Sequence, residues 1–131
     1  MTGVATLANF PIVAFVTIHD PERAKSFYRD VLGLTLTGEE LPYALVFECN
    51  GTMLRLAIDP ESPPIRGTVL CWRVEAIEQT VQALMQAGVV FERWSFMPQD
   101  ELGIWATPTG AKVAWFKDTE GNLLSVSQMP E

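Results

Sequence analysis

An α+β fold made of two consecutive βαβββ units is the architecture this sequence predicts, and three observations point to it. Gly51-Thr-Met-Leu-Arg-Leu-Ala-Ile58 and Gly121-Asn-Leu-Leu-Ser-Val-Ser-Gln128 repeat one pattern of a turn followed by a strand. Two amphipathic stripes of helical period occur, and each is closed by a glycine, Gly33 or Gly88. Between the two sets lie residues 59–67 (DPESPPIRG), whose three prolines cannot continue a strand or a helix. With 131 residues, 48% of them hydrophobic, the chain is expected to form one domain over 1–131. Its parts are a first unit at 11–58, a linker at 59–67 and a second unit at 68–128.

Residues 11–18 (PIVAFVTI) are a nearly unbroken β-branched and aromatic run, as expected of a strand covered on both faces. Asp20 and Pro21 then supply the cap and first-turn proline of a helix. Ala24, Phe27, Tyr28, Val31 and Leu32 form its apolar stripe, and Gly33 stops it. Residues 34–37, 43–49 and 52–58 read as short strands, separated by Glu39-Glu40-Leu41-Pro42 and by Asn50-Gly51. After the linker the plan restarts with a strand at 68–74 and a second helical stripe at Ile77, Val81, Leu84 and Met85. Strands at 89–94, 111–116 and 123–128 complete it. Val13 maps to Val69 and Gly33 to Gly88 at nearly equal spacing, whereas Gly51 and Gly121 stand farther apart. The expansion falls in residues 95–110, and a loop of that length is usually functional or mobile.

The formal charge of −7, with nine Lys and Arg spread thinly, makes nucleic acid a poor partner. No uncharged apolar run reaches the ~18 residues of a membrane span, and the first ten residues carry no basic, apolar leader. A cytoplasmic protein is therefore expected. Cys49 and Cys71 lie in apolar runs without CxxC spacing, and are expected to be small buried thiols in a reducing compartment.

Three strings carry a resemblance to a known family: Asp20-Pro-Glu-Arg-Ala-Lys-Ser-Phe-Tyr-Arg-Asp-Val-Leu-Gly-Leu34, Leu84-Met-Gln-Ala-Gly88 and Phe116-Lys-Asp-Thr-Glu-Gly-Asn122. In this order, within duplicated units, they resemble the vicinal oxygen chelate superfamily of glyoxalases, extradiol dioxygenases, fosfomycin resistance enzymes and bleomycin resistance proteins. The resemblance covers nearly the whole chain and implies two βαβββ modules forming a cup-shaped, mixed eight-stranded sheet that holds a ligand. In metal-dependent members it also implies a histidine-like ligand near the start of a module's first strand and a glutamate on its last strand. Those positions fall on Val13 and Val69, and on Arg55 and Ser125. Hydrocarbon has no lone pair, guanidinium is a fixed cation without an acceptor, and one serine hydroxyl is too weak a ligand alone. A shift of one residue turns every side chain to the other face and finds only Ile12, Ala14, Thr68 and Leu70 at the first-strand positions. No metal and no other cofactor is expected.

His19, the one histidine, immediately precedes the helix cap; no spacing assembles Asp20, Glu48 or Asp118 around it, so an exposed loop histidine is expected. Strand parity sets Arg55 with Met53 and Ala57, and Arg73 with Val69 and Cys71, on the faces assigned to the cup. An arginine in apolar surroundings needs an anion, supplied either by a ligand or by a protein acid such as Glu48 or Glu75. Trp105, in the long loop, is the expected ligand-stacking wall, with Phe15 and Met97 nearby. Ser125, Ser127 and Cys71 lack a histidine for a nucleophilic triad, and no glycine-rich phosphate loop occurs.

The function expected is metal-free sequestration of a small aromatic or charged molecule, similar in principle to the bleomycin resistance proteins. The cup would be lined by Val13, Phe15, Arg55, Val69, Arg73, Trp105 and Ser125. The alternative is a lyase, isomerase or dioxygenase of the same superfamily, either metal-dependent or using Arg55 to stabilise an enolate. The resemblance further implies a homodimer, which would cover open sheet edges.

Overall fold

Two sheets of identical strand order organise the computed structural model, which describes residues 6–130. The first unit contains β1 (Val13–Ile18), α1 (Pro21–Ser26), β2 (Thr35–Glu40), β3 (Ala44–Cys49) and β4 (Thr52–Ile58). The second contains β5 (Thr68–Arg73), α2 (Ile77–Gln86), β6 (Trp105–Ala106), β7 (Lys112–Lys117) and β8 (Leu123–Gln128). The sheets run β1-β4-β3-β2 and β5-β8-β7-β6. In each, the first strand lies parallel to the last and the other pairs are antiparallel. The fold is thus α+β with two matched βαβββ units, as the repeat predicts, and its eight strands are divided between two four-stranded sheets.

Helix α1 begins where expected because Asp20 Oδ1 accepts the N–H groups of Glu22 (3.1 Å) and Arg23 (3.2 Å) behind Pro21. It continues as a π-helical turn, Phe27–Val31, in which the Leu32 N–H reaches back to the Phe27 carbonyl at 2.9 Å. Ala24 and Tyr28 are buried, and Phe27, Val31 and Leu32 pack around them. Gly33, at φ +80°, ends the helix in the left-handed region. In α2, Ile77 and Val81 are buried and Leu84 packs on the core, but Met85 is 47% exposed, so this apolar stripe is narrower than the sequence implies.

Two strand assignments need correction. Residues 89–94 form no strand; only Phe91 makes an isolated bridge, to Phe116, and the edge strand is the two-residue β6 inside the long loop. The cause is one polar side chain. Gln99 Nε2 donates to the carbonyls of Glu92 (2.9 Å) and Gly103 (2.8 Å), and its Oε1 accepts the Trp94 N–H (2.8 Å), which draws this segment into the loop. Asp100 Oδ1 accepts the N–H groups of Leu102 and Ile104, and Arg93 donates to the carbonyls of Asp100 and Glu101, so the loop is tied throughout its first half. In the first unit, Glu39 and Glu40 belong to β2 rather than to a turn, paired with Leu45 and Ala44.

Strand parity decides what is inside. Val16, Ile18, Leu45, Phe47, Leu54 and Leu56 of the first sheet share one core with Ala114, Phe116, Leu124 and Val126 of the second, and with Tyr28, Ile77 and Val81 of the helices. The inner faces converge further where Trp72 Nε1 donates to Cys49 Sγ at 3.3 Å. Each sheet therefore turns its other face away from the shared interior. A clamp joins the units at the opposite end: the turn after β7 docks onto the start of α1. Glu120 accepts the N–H groups of His19 (2.7 Å) and Asp20 (2.6 Å), Asp118 accepts the Tyr28 hydroxyl (2.7 Å), and Asn122 Nδ2 donates to the Thr17 carbonyl (2.8 Å).

Gly121 permits this turn. Its φ is +88°, and an added Cβ would stand 3.3 Å from Pro64 Cγ, whereas Gly51, at φ +87°, has nothing within 4 Å. Gly121→Ala is expected to lower stability by about 1–2 kcal/mol through left-handed strain, with a further increment from Pro64 that Gly51→Ala lacks. Urea denaturation midpoints of the two variants check this; equal losses would mean that Pro64 yields freely.

Candidate functional site

The outer face of the first sheet is built by alternation. Val13, Met53 and Glu48 form one row across β1, β4 and β3, and Phe15, Arg55 and Val46 form the next. Val13, Phe15 and Met53 are exposed, Phe15 to 63%. Arg55 donates to both carboxylate oxygens of Glu40, Nη2 to Oε1 at 2.5 Å and Nη1 to Oε2 at 3.5 Å. Of the two anion sources weighed from sequence, a protein acid is the partner, and it is Glu40 rather than Glu48 or Glu75. The Arg55 hydrogen bond, and then its charge, hold the Glu40 carboxyl below its usual range. Glu40 faces water, so the pair adds little stability.

On the second sheet, Cys71, Ser125 and Trp115 form one outer row, and Arg73, Ser127, Val113 and Trp105 the next. Ser125 and Ser127 are buried at the floor, where Ser127 Oγ lies 3.2 Å from Cys71 Sγ. Trp105 is one of four aromatics here. Its ring stacks on Trp115 (6.2 Å, 28°), Trp115 meets Trp94 edge-on (4.8 Å, 69°), and Trp94 stacks on Phe96 (6.1 Å, 24°). The indole N–H of Trp115 donates to Thr68 Oγ1 at 3.2 Å. Trp115 was legible from parity, because it alternates with the core residues Ala114 and Phe116; Trp94 and Phe96 depend on the loop's path and had no such signal.

Four residues sit elsewhere than the sequence implies. Val69 falls on a register shift between Thr68 and Leu70 and packs against the core, which leaves Thr68 on the outer face. His19 is half-buried rather than exposed, its Nε2 2.5 Å from the Ser62 carbonyl. Neither cysteine is buried: Cys49 is intermediate and Cys71 exposed. Arg73 is exposed and, among the described residues, has no carboxylate within 4 Å.

Val13, Phe15 and Arg55 thus occupy one outward face, and Arg73, Trp105 and Ser125 the other; a single chain does not bring the two sets together. Nor do these residues suit a metal. Among the described residues no group of three or more His, Cys, Asp and Glu side chains is placed to hold one. The acids considered as partners for His19 are engaged elsewhere, Asp20 at the α1 cap, Glu48 with the Gly51 N–H, and Asp118 with Tyr28. Burial, and then the Asp118 charge, push the Tyr28 phenol well above its ordinary range, so it stays a neutral donor.

A family model described as the Glyoxalase/Bleomycin resistance protein/Dioxygenase superfamily matches residues 11–126. Among solved structures the chain is similar to a lactoylglutathione lyase from Agrobacterium tumefaciens (19% identity, 94% of this chain and 96% of that one, TM-score 0.72). It is also similar to TnmS3, an antibiotic binding protein from Streptomyces sp. CB03234 (23% identity, 97% and 100%, TM-score 0.72). A third likeness is to a superfamily member from Sphaerobacter thermophilus DSM 20745 (19% identity, 95% and 100%, TM-score 0.72). No curated protein matches. At these identities the structural likenesses show the fold.

Proposed function

The chain belongs to the glyoxalase/bleomycin resistance protein/dioxygenase superfamily, and within it we propose that this protein sequesters a small planar molecule without a metal. The observation that carries this is the aromatic face of the second sheet, where Trp94, Phe96, Trp105 and Trp115 stand over buried Ser125 and Ser127. Stacked indoles offer flat, polarisable area, and two hydroxyls beneath them can orient a polar edge of the ligand. That a fold neighbour is an antibiotic binding protein supports the same reading.

The second wall of the cup comes from another copy of the chain. The first sheet's outer face is apolar at Val13, Phe15 and Met53 and acidic at Glu48, Glu40 being paired with Arg55, while the second sheet's outer face carries Arg73 and Lys117. Opposite charge and exposed hydrocarbon favour apposing the two in a homodimer, which buries what one chain leaves open. The enzyme alternative that uses Arg55 as an electrophile has less support, because Glu40 already neutralises that charge.

A planar aromatic probe should quench tryptophan fluorescence saturably, and Trp105→Ala should weaken its binding about 10-fold. Undiminished affinity in that variant would remove Trp105 from the site. Stoichiometric metal in protein purified without chelator would overturn the metal-free reading. Full affinity in a species that sediments as a monomer would overturn the shared cup.

A further inference from the structure

A separate opening lies inside one chain, where the two units meet. It is a cleft of about 290 Å³ between β5 and the hairpin joining β3 to β4. Its floor is apolar: Ala14 and Leu54 from the first sheet meet Leu70 and Trp72 from the second. The Trp72 indole N–H is already committed to Cys49 Sγ, which fixes that ring as a wall rather than a polar contact. Its rim holds the Asn50 amide, the Thr52 hydroxyl and the Arg73 guanidinium, and among the described residues no acidic side chain lines it. Among the described residues Arg73, like Arg66 and Lys117, has no carboxylate within 4 Å, and of these three it alone lines the cleft. Arg23, Lys25, Arg29, Arg55 and Lys112 each have a carboxylate within 4 Å, and Arg93 is occupied by two carbonyls. In a protein of net charge −7, a guanidinium with no carboxylate within 4 Å among the described residues borders an apolar floor beside further hydrogen-bonding groups.

We propose that this cleft binds a small carboxylate with an aryl or short acyl body. The carboxylate pairs with Arg73, the fork geometry of guanidinium matching two carboxylate oxygens, and the rim amide and hydroxyl complete its hydrogen bonds. The apolar body lies over Trp72 and Leu54, where its burial favours binding. A bare inorganic anion would leave that floor empty, and a neutral isostere would leave the guanidinium unpaired. The size is at the lower end for ligand pockets, which matches a single ring or short chain. The cleft is formed within one chain and uses none of the aromatic residues of the proposed cup, with which it shares only Arg73 and Cys71 of β5.

Cys71 is exposed and lines the cleft, which makes its alkylation a direct reporter of occupancy. Iodoacetamide labelling of Cys71, followed by peptide mass spectrometry, should be slowed saturably by benzoate, with an affinity about 10-fold or more above that of benzamide. Arg73→Ala should abolish the preference, Arg73→Lys should retain part of it, and Trp105→Ala should leave it unchanged. Equal protection by the two compounds, benzoate protection that survives Arg73→Ala, or no protection up to the solubility limit would overturn the proposal. Loss of protection on Trp105→Ala would also overturn it, by moving the site to the outer face. Because Arg73 is exposed, its variants should denature at the wild-type midpoint, which separates lost binding from lost fold.

Discussion

Glu120→Ala is expected to destabilise the protein by about 3 kcal/mol at neutral pH, measured as a shift in urea midpoint, because it removes the acceptor on which the clamp between units converges. The Glu120 side chain is fully buried and accepts four bonds: the N–H groups of His19 and Asp20, the Thr119 hydroxyl at 2.9 Å and Arg23 Nε at 3.1 Å. Truncation strands two part-buried amides that have no other acceptor among the described residues. Arg23, by contrast, is 56% exposed and can return to water, so Arg23→Ala should cost under about 1 kcal/mol. Equal losses would place the clamp's energy in the ion pair instead.

The same site sets an acid limit on stability. Burial by itself would raise the Glu120 carboxyl, but the Asp20 and His19 amides, then Thr119 and Arg23, outweigh it and hold the group below its ordinary value of 4.5. A carboxylate depressed in the folded state stabilises fully above its unfolded pKa, and that contribution is lost as pH falls through the folded one. Wild-type stability should therefore decline as pH drops below about 4.5, and Glu120→Gln, already weaker at neutral pH, should show a flatter decline. A parallel decline in both would assign the acid sensitivity to other carboxylates.

How far the sequence foretells such features depends on the range of the interaction that makes them. The βαβββ plan of the first unit, the α1 cap at Asp20 and the stop at Gly33 follow from period and local chemistry, and they are found where expected. Parity likewise groups Arg55 with Met53 on one face and Arg73 with Cys71 on another, and it fails at Val69, where a register shift inserts a residue. The Arg55–Glu40 pair crosses from β4 to β2 and has no local signal; it was hidden by reading Glu40 as turn. The strand expected at 89–94 was lost to Gln99, because a strand's pattern in isolation says nothing of a side chain that will claim its backbone groups. Least legible was the relation between the sheets. The packing of the two inner faces into one core, with Trp72 on Cys49 at its margin, leaves both candidate ligand faces outward, and it is tertiary and carries no motif.

Phe116→Ala should carry the largest cost of any single truncation considered, about 4 kcal/mol, and that cost should be partly recoverable by a small aromatic ligand. Phe116 is fully buried on the inner face of β7, with its ring 6.5 Å from Trp72 and 5.5 Å from Phe91. Beside it an apolar cavity of about 170 Å³, lined by Leu32, Val74, Leu84 and Val126, opens to the surface. Removing the ring extends that space into the core, and the pairing of β7 with β8 restrains the walls from collapsing. The new void has an entrance as well as an apolar lining, so benzene should enter it and raise the melting temperature of the variant, by mass action, while leaving wild type unchanged. Phe47→Ala removes an equally buried ring, one that lies 6.0 Å from Tyr28 and does not line that cavity. Its loss should be comparable, about 3–4 kcal/mol, without rescue by benzene. Rescue of both variants would mean that the core admits ligands generally, and rescue of neither would mean that the walls around Phe116 close over the void despite the strand pairing that holds them.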